Sequence, residues 1–333
     1  MSEAILELRD VRKWFPITAG LMQMTVGHVR AVDGVSLSVM RGETLGLVGE
    51  SGCGKSTLGR MAVKLLEPTR GSVHYAGKDI CHVRGKALAE FRRCAQIIFQ
   101  DPYSSLNPRM TAGAIIGEGL RIHRLVPRNE VRDRVSDLLE RVGLDRSDFV
   151  RYPHEFSGGQ RQRLGIARAL AVEPDFIVCD EPVSALDVSI QAQIVELLKA
   201  LQSDLGLSYL FVAHDLAVVR HISDRVAVMY LGQLCELAPR NIIYDFPAHP
   251  YTQALLSAVP EPDPTIPLRP RPLPGEVPSA ARPPSGCRFH PRCPLAEPIC
   301  RTENPEWREL GPGHFVACHL ASEQIPTQAS TEQ

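Results

Sequence analysis

Nine consecutive residues constrain this chain more than any others: Gly49-Glu50-Ser51-Gly52-Cys53-Gly54-Lys55-Ser56-Thr57, directly behind the apolar run Thr44 to Val48 (TLGLV). The run reads as a buried strand and the residues after it as a helix, which places a G-x-x-x-x-G-K-S turn in a strand-to-helix context. A backbone that wraps its N–H groups around a polyphosphate needs positive φ and no Cβ in the way, and Gly49, Gly52 and Gly54 meet both needs. Ser51, Cys53 and Thr57 belong to the same phosphate-binding set, and the helix that follows points its positive end at the anion. Lys55 supplies a point charge to the β and γ phosphates, and the Ser56 hydroxyl can ligate Mg²⁺. A chance glycine-rich turn would leave the strand, the lysine and the hydroxyl unexplained.

Three further apolar runs, Gln96 to Phe99 (QIIF), Phe176 to Cys179 (FIVC) and Ser208 to Val212 (SYLFV), share this pattern of a buried strand ending in polar residues. Alternating with helical patterns from Leu6 to about Ala258, they predict an α/β fold with a largely parallel sheet. The FIVC run ends in Asp180 and Glu181. An aspartate at such a tip can hold Mg²⁺ through water, and its neighbour can take a proton from an attacking water. A turn with two solvated carboxylates is the plain alternative. Strand signals vanish between about 101 and 163, where Val131, Val135, Leu138, Leu139 and Val142 fall on one helical face, so a helical insertion is expected there.

Phe156-Ser157-Gly158-Gly159-Gln160-Arg161 precedes another helical pattern, so Ser157 can cap it while the glycines expose helix N–H groups to a second anion. In this company the chain resembles the ATP-binding subunits of ABC transporters. That resemblance implies a P-loop NTPase fold, an ABC-type nucleotide-binding domain. It also implies a two-subunit sandwich in which Ser157, Gly158, Gly159 and Gln160 of one subunit close on ATP held by the phosphate loop of the other. It makes Gln100 the glutamine that contacts Mg²⁺ and the attacking water, Ser184 to Asp187 the segment that signals across the dimer, and His214 a switch that touches the γ phosphate. With Lys55 and Glu181 as general base, these form the expected catalytic set; Ser56, Gln100 and Asp180 are the expected Mg²⁺ set. Phe15 falls where the family's adenine-stacking aromatic sits, with Trp14 as the alternative.

The segment Phe99 to Met110 (FQDPYSSLNPRM) is similar to that of ATPases serving oligopeptide, dipeptide and nickel importers, and His249 to Leu256 resembles the start of their C-terminal extension. The implied activity is ATP hydrolysis energising import of di- or oligopeptides. Import of nickel or another small solute is the alternative, and an ABC ATPase unlinked to transport is a more distant one. The implied partners are a second ATPase subunit, identical or homologous, two transmembrane permeases and, indirectly, an extracytoplasmic solute-binding protein. Composition bears on location: the chain has no apolar run long enough to cross a bilayer, and its first residues are acidic where a secretory signal would be basic, so a peripheral place on the cytoplasmic face of the membrane is expected. A formal net charge of −1 offers no field for nucleic acid.

After residues 1–258, read as the ATPase domain, ten prolines crowd between Pro260 and Pro284, so 259–286 is expected to be an extended linker. Residues 287–320 then carry Cys287, Cys293, Cys300 and Cys318 in a C-x5-C-x6-C-x17-C array, and 321–333 are expected to be disordered. Four thiols in a stretch with little capacity for its own core suggest a metal staple, tetrahedral zinc or a [4Fe–4S] cluster, with unmetallated thiols also open. The tail resembles that of peptide-importer ATPases, and this implies the iron–sulfur cluster. His290, His314 and His319 are read as outer-shell or surface residues. Cys53 is read as a small filler inside the phosphate loop, with a reactive thiol as the alternative.

Overall fold

The four apolar runs become adjacent strands of one sheet. A computed structural model of the chain describes residues 3–20, 23–259 and 273–321. Residues 260–272 of the proline-rich linker and the last residues (322–333) lie outside the described residues. The strands are β1 (Ala4–Ala19), β2 (Met24–Met40), β3 (Thr44–Val48), β4 (Arg70–Tyr75), β5 (Lys78–Asp79), β6 (Ala95–Ile98), β7 (Phe176–Asp180), β8 (Ser208–Val212), β9 (Arg225–Tyr230), β10 (Gln233–Pro239), β11 (Trp307–Gly311) and β12 (His314–Ala317). The main sheet has the order β11-β12-β10-β9-β3-β8-β7-β6, parallel from β9 to β6 and antiparallel beyond β9.

Successive side chains of a strand point to opposite faces, and this alternation divides the interior into two cores. Ile177, Cys179, Tyr209 and Phe211 face one core, Phe176, Val178, Leu210 and Val212 the other. The first core is closed by the helical region and by helices Val188–Leu205 and Leu216–Ile222. The second is closed by helix Lys55–Ala62 and by a smaller antiparallel sheet of order β2-β1-β4-β5.

Helices Ala112–His123, Val131–Arg141 and Gly158–Leu170 fill the expected insertion, and Val131, Val135, Leu138, Leu139 and Val142 are all buried. The last of these helices continues to Leu170, past the expected limit at 163, because Leu164, Ile166, Ala167 and Leu170 continue its buried face. The tail differs from expectation. It forms no separate unit: β12 pairs with β10, β11 extends the same sheet, and Phe289 is fully buried in the first core against Tyr230 and Tyr251.

Candidate active site

The phosphate loop is shaped by contacts that only glycine permits. Gly49 has φ 152° and Gly54 has φ 109°, and a Cβ on either would stand 2.1 Å from a backbone oxygen, of Met229 and Ala31 respectively. Gly54 occupies the N-cap position of helix Lys55–Ala62. Ser51 and Gly52 are exposed at the mouth of the loop, with Cys53 and Lys55 buried beneath. The Lys55 ammonium donates to the carbonyls of Gly49 (2.7 Å) and Glu50 (3.1 Å) and lies 3.9 Å from Glu181 Oε1. Burial pushes the Cys53 thiol above its ordinary pKa, which suits a packing role and opposes a reactive one.

β7 delivers Asp180 and Glu181 beside this loop. Ser56 Oγ donates to Asp180 Oδ1 at 2.7 Å, and Arg60 stands 3.9 Å from Oδ2. Asp180 is almost wholly buried, and desolvation raises its pKa against the opposing hydrogen bond from Ser56. The chain turns sharply at Glu181, whose φ of 48° is left-handed, a conformation that costs an ordinary residue about 1–2 kcal/mol. Its N–H donates to Val212 O and its carbonyl accepts from Ser184 Oγ, so the turn is held at both ends. Its carboxylate accepts from Gln100 Nε2 at 2.9 Å and faces His214 Nδ1 at 3.3 Å. Four residues from four separate segments, Lys55, Gln100, Glu181 and His214, thus converge beside a cleft lined by Ser184, Gln191 and Asp215. Ser56 and Asp180 offer a hydroxyl and a carboxylate to a common point, hard oxygen donors that fit Mg²⁺.

In β1, Trp14 is half-buried and held by several contacts. Its Nε1 donates to Asp33 (3.0 Å), and Arg30 and Arg70 lie against its ring. Phe15 is more than one-third exposed, with only the Lys13 ammonium over its ring at 5.4 Å. Ser157 caps helix Gly158–Leu170 in a reciprocal box: Gln160 N–H donates to Ser157 Oγ (3.3 Å), and Ser157 N–H donates to Gln160 Oε1 (3.0 Å). Ser157 and Gly158 are exposed, and Gly159 packs against Ile190 too closely for a Cβ.

Residues 32–184 match the family model of the ABC transporter, and residues 235–300 match that of the oligopeptide/dipeptide transporter C-terminal region. The oligopeptide transport ATP-binding protein AppF of Bacillus subtilis is 56% identical over 323 residues, 96% of this chain and 98% of that protein. The chain belongs to the ATP-binding proteins of ABC transporters. The probable peptide ABC transporter ATP-binding protein y4tS of Sinorhizobium fredii is 53% identical over 320 residues, 96% of this chain and 91% of that protein. Among solved structures, the cassette MJ0796, a dimer in a post-hydrolysis state with ADP and phosphate, matches with TM-score 0.63 and 29% identity, covering 71% of this chain and 98% of that one. The cassette cbiO1 of Clostridium perfringens, part of the cbiONQ complex, matches with TM-score 0.62 and 28% identity, covering 73% of this chain and 92% of that one. This ABC ATPase has, among its described residues, no helix long and apolar enough to cross a membrane.

The tail of this ABC ATPase carries the four cysteines of the expected metal site. Among the described residues no group of three or more His, Cys, Asp or Glu side chains is placed to hold a metal ion, so Cys287, Cys293, Cys300 and Cys318 give the expected iron–sulfur cluster no support, nor zinc. The argument for a metal assumed a segment without a core. In the structure the tail borrows one, through Phe289 and through β12. Burial raises the Cys287 thiol to about 11 and those of Cys293 and Cys318 upward as well, and neighbouring cysteines of the tail add to each shift. His290, His314 and His319 hydrogen-bond to Cys287 O, the Glu236 carboxylate and Glu303 O.

Sequence reasoning missed the residues that hold the loop from behind. Tyr251 Oη accepts from the Glu50 N–H (2.9 Å), and Arg292 grips the Glu50 carboxylate with two bonds of 2.7 and 3.1 Å. Arg288 pairs with Asp33. The two arginines are visible in the turn around Cys293. Their partners, more than 200 residues away, are not.

Proposed function

We propose that this chain is the ATP-hydrolysing subunit that energises import of peptides across the bacterial cytoplasmic membrane. It works peripherally, beside a second ATPase subunit and under two membrane permeases that receive its motion near residues 100–110. The observation that carries the hydrolytic half is the position of the Glu181 carboxylate, within 4 Å of Lys55, Gln100 and His214 and next in sequence to the Asp180–Ser56 pair. Glu181 takes the proton of the attacking water while Gln100, bonded to the same carboxylate, orients that water by donating and accepting at once. Lys55 and the loop N–H groups hold the β and γ phosphates, and His214 meets the γ phosphate from the opposite side. Ser56 and Asp180, with Gln100, would hold Mg²⁺, which would supply positive charge to the phosphate oxygens. Phe15 stacks on adenine, since its ring is the more exposed of the two and Trp14 is engaged by Asp33, Arg30 and Arg70.

Ser157 to Gln160 complete the pocket of the opposing subunit. In support, Ser157 and Gly158 are exposed, the capping box closes between Ser157 and Gln160, and the similar cassette MJ0796 is a dimer. The peptide half rests on AppF, y4tS and the match over residues 235–300. Purification from native membranes with the bound permeases, followed by reconstitution into vesicles, tests both halves. The expected result is peptide uptake that needs ATP, with Glu181→Gln binding ATP but hydrolysing it about 10²–10⁴-fold more slowly. Uptake of nickel and not of peptide would move the substrate; unchanged turnover in Glu181→Gln would overturn the mechanism.

A further inference from the structure

We propose that Tyr251 and Arg292 of the C-terminal extension are positioning residues for the phosphate loop, acting through Glu50, so that the extension sets the chain's affinity for the phosphates of ATP. This rests on reading residues 49–57 as the phosphate site of ATP.

Every polar group of Glu50 is committed. Its N–H goes to Tyr251 Oη, its carboxylate to both terminal nitrogens of Arg292, and its carbonyl receives the Lys55 ammonium at 3.1 Å and the Cys53 N–H at 3.3 Å. Glu50 therefore links the extension to the lysine that meets the phosphates. Arg292 is itself buried and lies against the Tyr230 ring, and its guanidinium is held firmly protonated by Glu50. A bidentate pair fixes orientation as well as distance, so the loop cannot shift at Glu50 without leaving a buried guanidinium unpaired.

The same turn reaches the far side of the loop. Arg288, four residues before Arg292, donates to Leu231 O and to the Asp33 carboxylate. The next residue, Gly232, donates its N–H to Cys53 O at 2.8 Å and accepts from the Asp33 N–H at 2.8 Å. One turn of the tail, 288–292, thus braces the loop at Glu50 and at Cys53. Tyr251 is aligned for its part by His249, whose Nδ1 accepts from the Tyr251 N–H, and by packing on Phe289. The extension is a wall of the nucleotide site.

The test is equilibrium titration of the full chain with ATP and with ADP. Hydrogen bonds to charged groups justify an expected loss in ATP affinity of about tenfold for Arg292→Gln and about fivefold for Tyr251→Phe. Arg292→Lys, which keeps the charge but not the fork, should lose about threefold, and it stands in if Arg292→Gln does not fold. Arg308→Gln is the control, because among the described residues the Arg308 side chain bonds within the tail, to Cys318 O and Ala321 O, and this variant should bind ATP as the unsubstituted chain does. The decisive readout is the double variant: in Glu50→Gln, adding Arg292→Gln should cause no further loss. Unchanged affinity in the Arg292 variants, or losses that add fully to those of Glu50→Gln, would overturn the proposal. Since binding is read without turnover, a chain that binds ATP but does not hydrolyse it would count only against the function proposed above.

Discussion

At residues 49–57 a glycine-rich turn opens onto a helix whose first residue, Lys55, is buried, and neighbours hold that turn from several sides: Met229 and Ala31 by close approach, Tyr251 and Arg292 through Glu50, Gly232 through Cys53. At residues 157–160 a second glycine-rich turn opens onto a helix of similar polarity, but its capping bonds run between Ser157 and Gln160 and its outer face is exposed. Both open onto the N–H groups of a helix start. The first is a pocket made rigid by its own chain, the second a finished surface that lacks a facing wall. A half-site on each is what a sandwich of two subunits requires.

Lys55→Met should break the first half-site alone. Removing a preorganised charge costs about 10²–10³ in rate, and ATP binding by the dilute single chain should fall with it. Ser157→Ala should cost about 1 kcal/mol of stability through the lost cap and leave single-chain ATP affinity within about twofold. If the two variants weaken single-chain binding equally in titrations, both turns serve one pocket in one subunit and the distinction fails.

The glycines sharpen the contrast further. An alanine at Gly54 meets both a left-handed backbone and the Ala31 carbonyl, so denaturant unfolding should show a loss of about 3 kcal/mol or more. An alanine at Gly158 meets only Leu186 at 3.4 Å and improves helix propensity, so stability should hold or rise by up to about 1 kcal/mol. Turnover in Gly158→Ala should nonetheless drop by about tenfold or more, because the new Cβ stands over N–H groups meant for the partner's nucleotide. Full turnover in that variant would show that nothing docks there.

Much of this was legible before any coordinates. The loop, the Asp180–Glu181 tip, the cap at Ser157 and four parallel strands follow from local rules, in which glycine, a charged tip or an apolar run has meaning within a few residues of itself. The bracing of the loop does not obey such rules. Arg288 and Arg292 pair with Asp33 and Glu50 across 255 and 242 residues, and neither arginine carries a local mark of burial. β11 and β12 were hidden for a related reason: WRELG and HFVA are too short and too polar to read as strands until β10 offers them an edge. The core that the tail shares with distant residues such as Tyr230 likewise leaves no trace in the tail's own composition. β1 escaped notice because its register shifts near Val11 and Trp14 break the alternation that marks a strand.

Acidification tests whether the anchored loop carries the acid sensitivity of its anchor. His249 is fully buried beside Glu236, His314 bonds to that same carboxylate, and Phe289 lies against the His249 ring. Desolvation lowers the His249 pKa to about 4, against the pull of Glu236. In the unfolded chain the imidazole returns to about 6.5. Between those values the unfolded chain binds a proton that the folded chain does not, so stability is present in full above pH 6.5 and lost as the pH falls toward 4. At about 1.4 kcal/mol per unit, acidification to pH 5 should remove about 2 kcal/mol through this residue alone. His249→Asn keeps an acceptor for the Tyr251 N–H and has nothing to titrate, so its unfolding free energy should fall less over the same range by that amount. Equal pH slopes in the two proteins would mean that His249 finds water or a proton in the folded state. Tyr251 would then hold Glu50 from a looser support than the packing implies, and the two glycine turns would differ less than they do on paper.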